Sequence, residues 1–200
     1  MKTVQILGTA SNLSACPELP GPFDGRCERW CCNSPRAYRV KWPKSLKTWT
    51  RWFNLHSKRH MLKTYPTWYT WYGQQSKPIY LQRVQPDVPS SQAFPAAQLI
   101  EFFGHQYFTF SGAWLIALAI MEGFEHIDLQ GFALQRDRQH AFERPCFFYW
   151  VEEARRRGIT VTYPSKVGAA DPAGDPHSYT GPIYGYQTTP PDDPPINLGV

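Results

Sequence analysis

The stretch that decides the fold is GAWLIALAIMEGFEHIDLQGF, residues 112–132. Its first part is apolar nearly all round, which predicts a buried helix from Ser111 to Glu122 that ends at Gly123. The run from Ile127 to Gln130, followed by Gly131, predicts a buried strand. A helix, a turn and a strand in this order are typical of α/β proteins.

The same order recurs in RPCFFYWVEEARRRGITVTYP, residues 144–164, where Pro145 and Gly158 mark the two ends of a helix. The pattern predicts further strands at 3–7, 28–32, 50–56 and 78–82, a strand at 159–163 and another helix at 95–103. Strands that alternate with helices imply right-handed crossovers. We therefore predict a Rossmann-like α/β fold, a three-layer sandwich with a mostly parallel sheet.

Length and composition predict one domain with a tail. The 200 residues are 42% hydrophobic and include 8 Trp, 11 Tyr and 12 Phe, which excludes a disordered protein. Prolines and glycines concentrate near the carboxyl terminus. We expect a Rossmann-like nucleotide-binding domain over residues 1–170 and an extended Pro/Gly-rich C-terminal tail over 171–200, which Tyr179, Tyr184 and Tyr186 could anchor on a partner.

The apolar runs and the cysteines indicate where in the cell the protein is expected and whether it binds a metal ion. The longest apolar run, Ala113–Met121, is shorter than the roughly 20 residues of a membrane span. Without an apolar leader, we expect a cytoplasmic protein with reduced thiols and no membrane partner. Cys27, Cys31 and Cys32 lack zinc-site spacing, and neighbours on a strand point to opposite faces, so we predict no metal site.

The first predicted strand ends in VQILGTASNLS, residues 4–14. In open parallel sheets, ligands bind beyond the carboxyl ends of the strands. Gly8 lets a ligand approach the backbone closely, and Thr9, Ser11 and Asn12 offer hydrogen bonds to a phosphate or a sugar. A nucleotide-phosphate loop is one interpretation. A plain strand-to-loop turn is the other, because the stretch is neither GxGxxG nor a Walker loop.

Other predicted strand ends carry similar groups. Asn33, His56 and Gln82 follow the second, third and fourth strands, and Gly131 follows the fifth. Ser111 opens the buried helix. A strand-to-loop turn at Gly8 would not by itself require small or hydrogen-bonding residues at the ends of the other strands. Their presence there favours a ligand site at this edge.

In this order, ILGTASNLS, RWCCN, FSGAWLIALAIMEGFEHIDLQGF and HAF resemble the nucleotide-binding core of the sialyltransferase-like, MptE-like superfamily. The likeness spans about residues 3–164 and is closest to small phage-encoded proteins of that type. It implies that Gly8, Asn12 and Asn33 hold a nucleotide, and Ser111 matches the family's serine before the long helix. The catalytic histidine of the sialyltransferases has no counterpart after the HAF motif.

A transferase needs a general base and a way to neutralise the leaving phosphate. His56 and His140 have an ordinary pKa that suits a base, and Asp137 and Glu143 are carboxylate alternatives. Arg144, together with Arg136 and Arg138, could bind a diphosphate in bidentate fashion. The other interpretation of this loop is a solvated charged turn.

Residues 39–77 alternate basic side chains with tryptophans. Basic charge attracts phosphates and aromatic faces stack on bases or sugars, which suggests an acceptor-binding surface. Its predicted members are Trp49, Arg51, Trp52 and Trp68. A packed core beneath a solvated basic face is the alternative. The net charge of +5 fits an anionic partner, although proteins without one can carry the same charge.

These features lead to one main functional prediction and two alternatives. We expect a nucleotide-sugar-dependent glycosyltransferase with a UDP- or CMP-linked donor and no metal. The phage resemblance suggests hydroxymethylated pyrimidines in DNA as acceptor and the host cytoplasm as location. The alternatives are a non-enzymatic nucleotide- or DNA-binding phage accessory protein, and a pyrophosphokinase-like transferase that would need magnesium. The oligomeric state stays open.

Overall fold

The computed structural model describes residues 1–9, 26–36, 45–132, 134, 141–164, 172–188, 194 and 196–199. Its strands are β1 (Thr3–Leu7), β2 (Cys27–Cys32), β3 (Arg51–Phe53), β4 (Ile79–Leu81), β5 (Ser91–Ala93), β6 (His126–Gln130) and β7 (Thr160–Thr162). Its helices are α1 (Ser45–Thr48), α2 (Lys58–Thr64), α3 (Pro66–Gly73), α4 (Ala96–Phe103), α5 (Ser111–Met121) and α6 (Glu143–Arg156).

All seven strands are parallel and lie in the order β5-β4-β3-β2-β1-β6-β7. The order reverses at β1, which pairs with β2 on one side and with β6 on the other. Leu7, near the end of β1, lies opposite Cys31 of β2 and Gln130 of β6. The carboxyl ends of these three central strands therefore meet at one edge of the sheet. The predicted Rossmann-like α/β fold is confirmed.

The sheet is covered on both faces, which makes three layers. Val4 and Ile6 of β1 belong to a large core cluster with α4, α5 and α6. Leu7 points to the opposite face and packs in a second cluster with Trp52 and Tyr72. All five residues of β1 are buried, as expected of a central strand in a parallel sheet. Cys31 and Cys32 likewise belong to opposite clusters, as predicted.

A row of polar side chains crosses the middle of the sheet. Nε of Arg29 donates to Oε1 of Gln5 over 2.8 Å, and Nε2 of Gln5 donates to Oδ2 of Asp128 over 2.8 Å. The three residues are buried and belong to β2, β1 and β6. Because a slip of one residue would turn a side chain to the other face, this row holds the three strands in register.

Residues 172–188, called the strap below, lie against the domain. They fall within the predicted extended tail, residues 171–200, and here they pack on the domain itself. The backbone N–H of Gly174 donates to the carbonyl of Pro145 over 3.0 Å, and that of Tyr184 donates to the carbonyl of Phe108 over 2.9 Å. The side chain of Ile183 is fully buried. Burial of its apolar side chains holds the strap in place.

Two observations on the described residues concern membranes and metal ions. No helix among the described residues is long and apolar enough to cross a bilayer. Within the same residues, no three His, Cys, Asp or Glu side chains converge as metal ligands would.

Candidate functional site

The reversal of strand order is marked by two glycines in backbone contact. Gly8 follows β1 and its N–H donates to the carbonyl of Gln130 over 2.7 Å. A Cβ on Gly8 would collide with the carbonyl of Gly131, and one on Gly131 would come within 2.6 Å of the Gly8 oxygen. Both positions therefore require glycine because the two backbones touch. This packing is sufficient to explain both glycines, and the approach of a ligand to them stays a prediction.

Asn33 and Ser111 are brought together at the same edge. Asn33 follows β2 in the left-handed conformation, with φ of 58°. Its Nδ2 donates to Oγ of Ser111, the first residue of α5, over 3.1 Å. The residue before Ser111 is Phe110, whose side chain cannot accept a hydrogen bond from the first turn of this 11-residue helix. Asn33 and the start of α5 thus place an amide and a hydroxyl beside a helix N-terminus, where anions are favoured.

A chain of hydrogen bonds fixes the backbone of Asn33. Its carbonyl accepts from the Tyr72 hydroxyl over 2.7 Å and from Nε1 of Trp52 over 3.1 Å. Nδ2 of Asn54 donates to the Tyr72 hydroxyl over 2.9 Å, and Oδ1 of Asn54 accepts from the N–H of His56 over 3.0 Å. Because Asn54 and Tyr72 are fully buried, this chain positions the edge residues rigidly.

His56 and Tyr184 complete the edge. The Tyr184 hydroxyl lies 3.2 Å from Nε2 of His56, and burial raises the pKa of Tyr184 to about 12. Burial, helped by nearby His60, lowers the pKa of His56 to about 4. Nδ1 of His56 is buried and has no hydrogen-bond partner among the residues that the structure describes. We call Asn33, Asn54, His56, Ser111 and Tyr184 the edge cluster.

The pKa of His56 changes its predicted role. A general base works best with a pKa near the working pH, whereas His56 is neutral and weakly basic at pH 7. The edge cluster as a whole is a set of neutral hydrogen-bonding groups. Such a set suits the recognition of a polar ligand better than proton transfer.

The predicted residues at the start of α6 take different positions. Nη1 of buried Arg144 donates to the carbonyl of Leu134 over 2.6 Å, and its guanidinium lies 5.5 Å from the ring centre of Phe148. Arg144 thus holds a loop in place, which differs from the predicted binding of a phosphate. Glu143 is the first residue of α6 and lines a cavity together with Thr109.

Three of the four predicted acceptor-binding residues are structural. Trp49 and Trp52 are buried in the second core cluster. Arg51 lies at the amino end of β3, opposite the edge cluster, and forms ion pairs with two carboxylates. Trp68 is half-buried and stacks on Tyr65 with ring centres 3.9 Å apart and planes at 3°. The ring centre of Tyr65 in this stacked pair lies 6.4 Å from that of His56.

Several predicted residues are not placed by the structure. Ser11, Asn12, Asp137 and His140 lie outside the described residues. Thr9 is half-buried at the end of the first described segment. The edge cluster contains two residues that the sequence analysis did not assign to a site, Asn54 and Tyr184. An aromatic residue in a Pro/Gly-rich tail is the only sequence signal that points to Tyr184.

Comparison with known proteins adds no family. No family model, no curated protein and no solved structure matches this chain. The function must therefore be argued from the geometry of the edge cluster and from the motifs.

Proposed function

We propose that the edge cluster binds the nucleotide of a nucleotide-sugar donor and that the protein transfers the sugar to an acceptor hydroxyl. The observation that carries this proposal is the pairing of Asn33 with Ser111, 3.1 Å apart, beside the reversal of strand order. Ligands of open parallel sheets bind in the crevice at such a reversal. The uncapped start of α5 offers N–H groups to a phosphate, and the amide and the hydroxyl suit a ribose or a pyrimidine of UDP or CMP.

The proposed reaction uses a carboxylate as base. Glu143 takes the proton of the acceptor hydroxyl, the acceptor oxygen bonds to the anomeric carbon, and the bond from that carbon to the phosphate oxygen breaks. The nucleotide leaves with the electron pair and stays bound at the start of α5. His56, held neutral by burial, serves as a hydrogen-bonding group rather than as the base.

The stacked pair of Tyr65 and Trp68 supports a nucleic-acid acceptor. Both rings are half-buried, and the exposed side chains of Arg59 and Lys63 lie on the adjoining helix α2. Aromatic faces beside basic side chains suit bases and phosphates. A hydroxymethylated pyrimidine in phage DNA would supply the acceptor hydroxyl. The same surface favours a second candidate function, binding of nucleotides or DNA without turnover.

The test of nucleotide binding is a thermal-shift panel of nucleotides and nucleotide-sugars. A ligand that binds only the folded protein at 100 times its Kd adds about 2.7 kcal/mol of stability, so UDP or CMP compounds should raise the Tm. Ser111→Ala should abolish this shift, while Ser76→Ala, an exposed change outside the cluster, should keep it. No shift with any nucleotide, or an unchanged shift in Ser111→Ala, would disprove the proposed site.

Two further measurements separate the alternatives. A donor that is bound for hours with no sugar transferred to hydroxymethylated DNA favours the binding protein. Loss of transfer on addition of a chelator favours a magnesium-dependent transferase, since the proposed reaction uses no metal ion.

A further inference from the structure

A cavity of about 500 Å³ lies between the strap and the starts of two helices. It is built from segments far apart in the sequence, and its volume falls in the range of small-molecule sites. Residues that line it include Thr109, Phe142, Glu143, Ser178, Tyr179 and Thr180. Carbon atoms form most of the wall, and polar oxygens interrupt it.

Three of the five hydroxyl groups that line the cavity donate hydrogen bonds to backbone carbonyls. Oγ1 of Thr109 donates to the carbonyl of Phe142 over 3.2 Å. Oγ of Ser178 donates to the carbonyl of Asp175 over 3.2 Å, and the Tyr179 hydroxyl donates to that of Pro182 over 2.8 Å. A hydroxyl oxygen that has donated its proton keeps lone pairs for accepting. These three oxygens therefore act as fixed acceptors.

Glu143 adds a further hydrogen-bond acceptor to the wall of the cavity. It lies in the first turn of α6, and a carboxylate only accepts hydrogen bonds. Phosphate oxygens are also acceptors, so these four groups favour a ligand rich in hydroxyl donors over a phosphate. The faces of Phe142 and Tyr179 can pack on the C–H groups of such a ligand.

We propose that the cavity under the strap binds a neutral polyhydroxylated ring, which in the proposed reaction is the sugar of the donor. Thr109 precedes Ser111 by two residues, so the cavity adjoins the edge cluster. Glu143 also lies close enough to Tyr184 to affect it electrostatically. The nucleotide of the donor would then lie at the edge cluster, and its sugar would lie in the cavity beneath the strap. This assignment of the sugar rests on the proposed function, while sugar binding can be measured without it.

Saturation-transfer NMR on the full chain tests the cavity with glucose, galactose, mannose and N-acetylglucosamine as probes. Thr180→Trp should fill the cavity, and its exposed position leaves the core untouched. Ser76→Trp is the matched control, an exposed residue away from the cavity. We expect a signal from at least one sugar, its loss in Thr180→Trp and its retention in Ser76→Trp. Glu143→Gln, which keeps the size of the side chain, should weaken the same signal.

The other outcomes separate failure of this inference from failure of the proposed function. Silence from every sugar, or a signal that survives in Thr180→Trp, shows that the cavity binds no sugar. Uridine is added as a fifth probe, and a signal from uridine without one from any sugar assigns the cavity to a base instead. If nucleotides shift the Tm but no sugar binds, the cavity proposal fails alone. If sugars bind through Thr180 but no nucleotide shifts the Tm, the transferase proposal fails alone.

Discussion

The amino edge of the sheet holds its polar groups in ion pairs, whereas the carboxyl edge holds neutral groups in hydrogen bonds. At the amino edge, Arg51 lies 2.7 Å from Glu28 and 2.6 Å from Glu122. At the carboxyl edge, Asn33 meets Ser111 and His56 meets Tyr184, with one imidazole nitrogen unpartnered among the described residues. The comparison separates charges that are paired with each other at one edge from neutral groups that are joined by hydrogen bonds at the other.

Removal of the cation at the amino edge should have the largest effect. Arg51→Met leaves Glu28, which is buried, and Glu122 without their cation, and this should cost about 3 kcal/mol of the free energy of unfolding. Urea denaturation measures the loss. Arg156→Met, which removes the 63% exposed arginine of the pair with Glu153, should cost under ~1 kcal/mol. Nucleotide binding should survive in Arg51→Met, and its loss would remove the distinction between the two edges.

Acid should destabilise the carboxyl edge through His56. The folded pKa of His56 is lowered to about 4, below its unfolded value, so its contribution is full above pH 6.5 and declines as the pH falls towards 4. Between pH 7 and pH 5 this linkage amounts to about 2 kcal/mol. His56→Gln should reduce the pH dependence of urea denaturation by that amount. An unchanged pH dependence would mean that the imidazole is solvated in the folded protein.

Two buried tyrosines test whether satisfied hydroxyls matter at this edge. Tyr72→Phe removes the hydroxyl between Asn54 and Asn33 and should cost about 1–2 kcal/mol. Tyr186 has a buried hydroxyl with no partner among the described residues, so Tyr186→Phe should change the stability by less than ~0.5 kcal/mol or raise it. Equal losses in both variants, measured by urea denaturation, would show that the Tyr186 hydroxyl is satisfied.

The left-handed backbone of Asn33 offers the smallest and sharpest comparison. Asn33→Ala keeps a Cβ at φ of 58°, whereas Asn33→Gly removes that strain. Asn33→Ala should therefore be less stable than Asn33→Gly by about 1 kcal/mol. Both variants lack the amide, and both should lose the Tm shift with nucleotides. A variant that keeps the shift would show that the Asn33 side chain serves the turn alone.

The sequence predicts the fold where the hydrophobic pattern is long. Residues 111–132 show a helix and a strand by their apolar runs, and both are confirmed within a few residues. Strand β5 escaped prediction because Ser91–Ala93 is a short edge strand with two exposed residues. An edge strand is stabilised mainly by pairing with its neighbour, so its sequence need not contain an apolar run that would predict it.

The site was predictable only in part. Asn33 and Ser111 were expected at one edge because parallel strands end together, and the structure places them 3.1 Å apart. Tyr184 could not be predicted, because its contact with His56 joins residues 128 positions apart through an irregular segment. Trp52 could not be separated from a binding residue by composition, since burial decides which tryptophans face a ligand.

The strap has a consequence for the timing of biosynthesis. A growing chain emerges from the ribosome amino end first, so all seven strands, from Thr3 to Thr162, are made before Tyr184. A nascent chain can thus assemble its sheet and bury most of its core before the strap, which lines one side of the cavity, has been synthesised. Translation must pass Thr188 before every strap residue that lines the cavity has been made.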